Sequence, residues 1–295
     1  MKKILRNFIF VLIFMAGLSL LLYPYISNEW NTYRQSQLIV EYDDAIEEIK
    51  DEIDYTKEWE SAHSYNAALM PSVLPDSFAI AAANEEPAED YMAELNLLGD
   101  GMMGMIEIPK IDIKLPIYHT TSDEVLQNAA GHLEGSSLPV GGYDTHSVIS
   151  AHRGLPSAAL FTDLDRLEVG DHFLLHILDD TLCYEVDQIT IVEPEETSAL
   201  AVDPGRDLVT LLTCHPYGVN SHRLLVRGFR VEYKPELLDV EVEQSIINPS
   251  IHTNYLLWVV IGLGITFLII LLLSIRERKV RKKLIAEKKG EKDIT

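Results

Sequence analysis

Cys214 ends an apolar run that has the composition of a β-strand. The run before it reads LVTLLT over residues 208–213. Strand ends at the rim of a barrel often expose nucleophiles, and a cysteine acts as one when a neighbour lowers its pKa or takes its proton. The second cysteine, Cys183, offers an alternative, because two cysteines in an oxidising compartment commonly form a disulfide. Spacing alone leaves nucleophile and disulfide both open.

A nucleophilic thiol needs a base, and His152 occupies a suitable place among the ten histidines. It follows the strand-like run Ser147–Ala151 and precedes Arg153 and Gly154, so it also marks a strand end. A lone histidine is more often structural than catalytic, so this position is suggestive only. His215 is a poorer partner for Cys214, since neighbouring strand residues point to opposite faces.

Arg223 follows Cys214 by nine residues across a segment that contains Pro216 and Gly218. Such a segment would form a hairpin-like loop and bring the guanidinium back beside the sulfur, where it could stabilise an oxyanion. The alternative is an ordinary charge at a strand edge. The sequence has no C-x-x-C, H-E-x-x-H or glycine-rich phosphate loop, so no metal and no cofactor are expected.

These residues carry a family resemblance. The segment TLLTC at 210–214, with Arg223 nine positions later, resembles the T-L-x-T-C…R signature of the sortases. Four more segments resemble the pilus-building class C members: GHLEGSSLPVGG from 131, HSVISAHRGLP from 146, LFTDLD from 160 and PYGVNSHRLLVRG from 216. The resemblance covers about residues 100–233 and makes the disulfide a poor interpretation.

The resemblance implies a mainly β fold, a sortase-type eight-stranded barrel, on the outer face of a Gram-positive cell membrane. Sortases are cysteine transpeptidases that cut an LPXTG-like sorting signal between Thr and Gly, hold the protein as a thioester and pass it to an amine. By motif, Cys214 is the nucleophile, His152 the general acid/base and Arg223 the oxyanion-stabilising group. In class C the amine is a lysine of another pilin; attachment of surface proteins to cell-wall peptidoglycan is the alternative.

Two substitutions and one segment depart from the family pattern. His215 stands where the family commonly has Thr, and Ala151 stands where it usually has Gly. Class C members usually carry an Asp-Pro-aromatic lid over the cysteine. Here the nearest match is PDSF from 75, which makes Asp76 and Phe78 the candidate lid residues and predicts contact of Asp76 with Arg223.

The elements that must position these residues follow from hydrophobic periodicity. Apolar residues alternate over 104–117, with a slip in phase at Pro109, and further strands are expected over 146–151, 172–178, 182–192, 208–214 and 223–232. One short helix is predicted at Ser157–Leu167. An amphipathic helix is predicted from 29 to about 65, and residues 66–100 should form a long connection with short helical pieces.

The 295 residues carry Lys+Arg 24 and Asp+Glu 46, a formal net charge of −22. This charge argues against a nucleic-acid partner, because phosphate contacts need a basic face. Two uncharged apolar runs, at residues 7–26 and 255–275, predict two flanking transmembrane helices. Their basic flanks put both termini in the cytoplasm, the acidic middle outside, and the tail against membrane lipid. A cleaved signal peptide is the alternative for the first run, although YPYI at 23–26 is a poor cleavage site.

The expected organisation has seven parts. Residues 1–6 form the cytoplasmic N-terminus, 7–26 the first span, 27–100 the helical region with the lid, 101–235 the catalytic barrel, 236–254 a linker, 255–275 the second span and 276–295 the basic tail. The expected partners are pilin or surface proteins with LPXTG-like signals and a lysine amine acceptor.

Overall fold

The computed structural model describes residues 2–69, 74–83, 86–235, 257–268, 271–272 and 275–276. The predicted linker at 236–254 and nearly all of the tail at 276–295 lie outside these ranges. Two compact units are separated at Ser250. The first holds all the elements named below, and the second includes helical residues 257–268.

The membrane spans predicted at 7–26 and 255–275 are not supported by the described residues, and part of the second span (255–256, 269–270 and 273–274) lies outside them. A span needs about 20 apolar residues in one helix. Among the helices within the described ranges, none combines the length and the apolarity needed to cross a membrane.

Five helices lie in the first unit: α1 (Lys2–Ile49), α2 (Tyr55–Ala68), α3 (Ser77–Ala83), α4 (Glu89–Ala93) and α5 (Asp123–Leu126). The single helix predicted from 29 to about 65 is wrong, because the chain turns between α1 and α2. Asp54 begins α2 there by accepting a hydrogen bond from the backbone N–H of Lys57 at 3.2 Å, and such caps favour a new helix start over continuation. The short helical pieces expected within 66–100 are present as α3 and α4.

Eight strands form a closed barrel. They are β1 (Met102–Ile108), β2 (Ile113–His119), β3 (Ala130–His132), β4 (Thr145–Ser150), β5 (His172–Ile177), β6 (Asp180–Val192), β7 (Asp207–His215) and β8 (His222–Val231). Their order around the barrel is β1-β2-β3-β4-β7-β8-β6-β5. The pairs β2/β3 and β4/β7 are parallel, and the other neighbours are antiparallel. The predicted eight-stranded barrel is therefore confirmed.

Inward-facing apolar side chains fill the barrel, since a barrel of eight strands has room for side chains only. Phe173 on β5 stacks on Tyr184 on β6, with ring centroids 5.5 Å apart. Gly228 on β8 allows this close packing, because a Cβ there would lie 2.7 Å from the Phe173 ring. The core fixes the register of the strands that carry the site.

The helix predicted at Ser157–Leu167 is wrong. The chain there makes turns and one 3-10 turn at Leu164–Arg166. Leu160 has a positive φ of 42°, which a helix does not allow, and the N–H of Phe161 bonds to the carbonyl of His152 at 3.0 Å. Burial of Phe161 outweighs the local helix preference.

Candidate active site

The register of three adjacent strands brings the candidate residues to one rim of the barrel. Strand β7 lies between β4 and β8. Its Cys214 is directly opposite Arg223 in the antiparallel β7/β8 ladder. Opposite residues in such a ladder have Cβ atoms about 5 Å apart. Arg223 therefore lies beside Cys214, as the sequence predicts.

His152 lies on the other side of Cys214. The parallel β4/β7 ladder ends with Ser150 opposite Leu212. One step further, the hydroxyl of Thr213 donates to the carbonyl of Ala151 at 2.7 Å. Two steps beyond that, Arg153 donates to Nδ1 of His215 at 3.1 Å. His152 lies between these two contacts along its segment, as Cys214 does along β7, so the two residues are side by side.

The lid segment occupies this rim. Asp76 accepts two hydrogen bonds from Arg223, from Nε at 2.7 Å and from Nη2 at 2.8 Å. The side chains of the pair are only 11% and 8% exposed. The ring of Phe78 lies 5.1 Å from the imidazole of His152 and 5.1 Å from the guanidinium carbon of Arg223. The contact predicted between Asp76 and Arg223 is present, and Phe78 spans the two groups that flank Cys214.

Ser77 lies between Asp76 and Phe78 and attaches the candidate lid to the barrel. It is fully buried. Its hydroxyl accepts a hydrogen bond from Ser150 on β4 at 2.8 Å, and its carbonyl accepts one from Thr121 at 3.0 Å. Leu74 adds an apolar anchor in a buried cluster with Leu133, Val148, Leu200, Leu212 and Leu225. The candidate lid is thus attached through three successive residues, 76 to 78, and through Leu74.

The electrostatics of this closed state keep both reacting groups neutral. Burial raises the pKa of the Cys214 thiol above its ordinary value; Arg223 opposes this and Asp76 adds to it. Burial lowers the pKa of the His152 imidazole, and Asp123 opposes that shift. Near pH 7 the resting site therefore holds a thiol beside a neutral imidazole, which is able to take the thiol proton.

The second cysteine is not part of the site. Cys183 lies buried within β6, opposite Leu174 and Val231. Cys214 carries a free thiol, so no disulfide joins the two. No group of three or more His, Cys, Asp or Glu residues within the described ranges is placed to hold a metal ion.

Sequence reasoning missed Ser77, Ser150 and the Arg153–His215 contact. All of them depend on pairing between distant segments, which a single sequence does not display. The only sequence signals were weak: Ser77 lies between the two lid residues, and Arg153 and His215 each follow a reacting residue directly.

A closed barrel with a thiol and a guanidinium on two paired strands, and an imidazole just past the end of a third, defines a thiol-dependent acyl-transfer site of the sortase type. The family model described as Sortase domain matches residues 106–231. The chain belongs to the sortase family, and the assignment made from its motifs is confirmed.

Solved sortase C structures resemble this chain over nearly their whole length. Sortase C-1 from Actinomyces oris is 47% identical, with a TM-score of 0.57, covering 60% of this chain and 98% of that one. Sortase C-1 from Streptococcus pneumoniae is 43% identical, with a TM-score of 0.61 and coverage of 67% and 100%. Sortase C1 from Streptococcus agalactiae is 46% identical, with a TM-score of 0.58 and the same coverage.

Curated relatives match over a shorter part. Sortase D from Bacillus subtilis strain 168 is 30% identical over 131 residues, which are 43% of this chain and 63% of that protein. The match therefore spans less than two thirds of that relative's length.

Proposed function

We propose that this protein is a class C sortase that joins pilin subunits. It would cleave an LPXTG-like sorting signal between Thr and Gly and transfer the new carboxyl end to a lysine amine of another pilin. The observation that supports this most is the placement of Cys214 between His152 and Arg223 under a fastened lid, in a chain 43–47% identical to sortase C structures.

In the first step, His152 takes the proton of the Cys214 thiol as the sulfur attacks the carbonyl carbon of the signal's Thr. A C–S bond forms, and the carbonyl oxygen becomes an oxyanion that the Arg223 guanidinium stabilises. The C–N bond to Gly then breaks. The departing amine takes the proton from His152, which leaves a thioester and a neutral imidazole.

In the second step, a neutral lysine amine attacks the thioester carbonyl. A C–N bond forms, the C–S bond breaks, and His152 moves one amine proton to the departing sulfur. The thiol is regenerated and an isopeptide bond is made. A thioester keeps the acyl group activated, so the transfer needs no nucleotide; water in place of the amine gives hydrolysis.

The lid must move before this chemistry can occur. Asp76 occupies Nε and Nη2 of Arg223, which are donors that an oxyanion would need, and Phe78 covers the space beside His152. Remaining contacts of the guanidinium, from Nη1 to the carbonyls of Asn220 and His222, hold it in place when Asp76 leaves. We therefore propose that the lid inhibits the enzyme until a sorting signal displaces it.

The alternative is transfer to a peptidoglycan amine, since several curated relatives are named sortase A or sortase D. The two functions share the first step and differ in the acceptor. The purified full-length protein should be incubated with an LPXTG-type peptide and either a lysine-bearing pilin segment or oligoglycine.

The expected result is a product joined through the lysine side chain, together with an acylated Cys214 seen by mass spectrometry. Cys214→Ala is the control and should give neither. Exclusive transfer to oligoglycine would favour cell-wall attachment, and absence of peptide cleavage would reject both functions.

A further inference from the structure

A second pair of side chains lies one residue beyond the reacting pair. Arg153 follows His152, and His215 follows Cys214. In β7 the side chains of Cys214 and His215 point to opposite faces, and Arg153 contacts the side chain of His215. The family's catalytic residues do not include it, and position 215 departs from the family's usual Thr.

The second pair is joined directly. The Nη1 of Arg153 donates to Nδ1 of His215 at 3.1 Å, and Nη2 forms an ion pair with Asp165. The Arg153 side chain is only 4% exposed. Its buried Nε has no hydrogen-bond partner among the described residues. Because guanidinium nitrogens only donate, Nδ1 is the acceptor and the ring proton of His215 is on Nε2 in this arrangement.

Further hydrogen bonds restrain the backbone on either side of Arg153. The carbonyl of His152 accepts from the N–H of Phe161 at 3.0 Å, and the N–H of Gly154 donates to the hydroxyl of Thr162 at 3.2 Å. Gly154 has a φ of 78°, and a Cβ there would lie 3.3 Å from the ring of Tyr217. The segment after the base thus packs against the segment after the nucleophile.

We propose that Arg153 and His215, with Asp165 as the anchor of the guanidinium, are positioning residues that set the spacing between His152 and Cys214. The inference rests on the proposed function for its catalytic meaning. Strand β4 ends at Ser150, and its ladder with β7 ends at the pair Ser150 and Leu212, so this ladder does not fix the separation of the two reacting groups. A planar guanidinium can donate to a carboxylate and an imidazole at once, which an ammonium group does less well.

A double-mutant cycle in catalysis tests the pair. Arg153→Met and His215→Leu should each lower kcat for cleavage of an LPXTG-type peptide by about 10–100-fold with little change in KM, because a displacement near 1 Å has an effect of that order. The double variant should be no slower than either single variant, since both remove the same contact. His215→Asn, whose amide oxygen replaces Nδ1 as the acceptor, should keep most of the wild-type kcat.

Arg227→Met is a matched control, because Arg227 also pairs with a carboxylate, Asp187, but lies four residues along β8 from Arg223, opposite Thr210 of β7. It should lower Tm and leave kcat unchanged. Additive losses in the double variant, or an Asn variant as slow as the Leu variant, would overturn the proposal.

A second measurement separates failure of the positioning role from failure of the proposed function. The pH profile of Cys214 alkylation by iodoacetamide reports whether His152 lies within reach of the thiol, with no sorting signal required. The midpoint in Arg153→Met should shift towards that of His152→Ala, whereas Arg227→Met should keep the wild-type midpoint. An unchanged midpoint in Arg153→Met would reject the positioning role even if the enzyme cleaves no peptide.

Discussion

Asp76 acts on Cys214 through Arg223 as well as directly. The guanidinium lowers the pKa of the thiol, while the Asp76 carboxylate raises it and engages two donors of that guanidinium. Burial is the largest cause of the raised pKa. The Asp76 carboxylate therefore opposes thiolate formation by its negative charge near the sulfur and by engaging the guanidinium that would stabilise a thiolate.

Asp76→Asn should increase the reactivity of Cys214. Removing the carboxylate lowers the pKa of the thiol towards neutrality, and each unit of decrease raises the thiolate fraction at pH 7 about tenfold. Iodoacetamide should then modify Cys214 several-fold faster than in the wild type at pH 7. Glu60→Gln, which removes an exposed carboxylate of α2, should change nothing. Equal rates of Cys214 modification in Asp76→Asn and wild type would show that the Asp76 carboxylate does not control the reactivity of the thiol.

The two cysteines should differ sharply in their effect on catalysis. Cys214→Ala should abolish peptide cleavage, because it removes the proposed nucleophile. Cys183→Ala removes one buried sulfur from β6 and should reduce stability by about 1 kcal/mol while cleavage continues. Peptide cleavage and urea unfolding of both variants check this. A folded Cys183→Ala protein as inactive as Cys214→Ala would contradict the assignment.

At the scale of elements, the candidate lid keeps its position through tertiary contacts and not through the stability of its own helix. Helix α3 has seven residues, too few to be stable alone in water. Its attachment comes from Asp76, Ser77 and Phe78 and from the apolar anchor Leu74. Charge-assisted hydrogen bonds such as those of Asp76 contribute about 1.5–3 kcal/mol, so a bound sorting signal can displace the lid by replacing a few contacts.

An Asp76→Ala, Phe78→Ala double variant tests the lid as a unit. It should raise both the alkylation rate of Cys214 and the rate of peptide cleavage, because it removes the ion pair and the ring beside His152. The barrel should keep its Tm within a few degrees, since Asp76 lies outside the apolar clusters and Phe78 is only partly buried against the smaller one. Lys57→Ala, Glu60→Ala on α2 is the matched double control. An unchanged alkylation rate would mean that these residues do not gate the thiol.

The six runs predicted from sequence periodicity cover seven of the eight barrel strands, and the errors have separate physical causes. Strand β3 has three residues, too few to show alternation. The predicted run over 104–117 is two strands, with a 3-10 turn at Pro109–Ile111 where the phase slips. The helix predicted at Ser157–Leu167 is wrong because the segment turns so that Phe161 is buried in the core.

The three candidate reacting residues and their closeness were predictable from the sequence, whereas the residues that support them were not. Cys214, His152 and Arg223 were found from motif and strand-end position, and Asp76 from its resemblance to a lid. Ser150 and Arg153 act through partners 73 and 62 residues away in sequence. Only the folded register reveals such pairs.

At the scale of the whole molecule, buried polar contacts join the N-terminal helices to the barrel. Tyr91 of α4 is fully buried, and its hydroxyl lies 2.9 Å from Nδ1 of His132 on β3. Gln35 of α1 donates to the carbonyl of Asn128 at 2.7 Å. Asn66 of α2 exchanges two hydrogen bonds with the backbone of Leu138. Unfolding of the barrel should therefore also release these helices.

His132 makes this junction sensitive to acid. Its Nε2 lies 2.9 Å from the carbonyl of Ser137, so Nε2 donates and Nδ1 accepts from Tyr91, which satisfies a neutral imidazole. Burial lowers the pKa of His132 to about 4, partly opposed by the Ser137 carbonyl. The unfolded chain, with an ordinary histidine pKa near 6.5, takes up this proton first.

The free energy of unfolding should therefore fall as the pH drops from about 6.5 to about 4, by about 3 kcal/mol from His132 alone. Urea unfolding of wild type and His132→Gln across pH 7 to 4 measures this contribution, because an amide can keep both hydrogen bonds and does not titrate. Glu107 and Asp187, whose pKa values are lowered in the folded state, also lose stabilisation in acid, but equally in both proteins. Parallel curves for wild type and His132→Gln would show that this junction does not make the fold acid-sensitive.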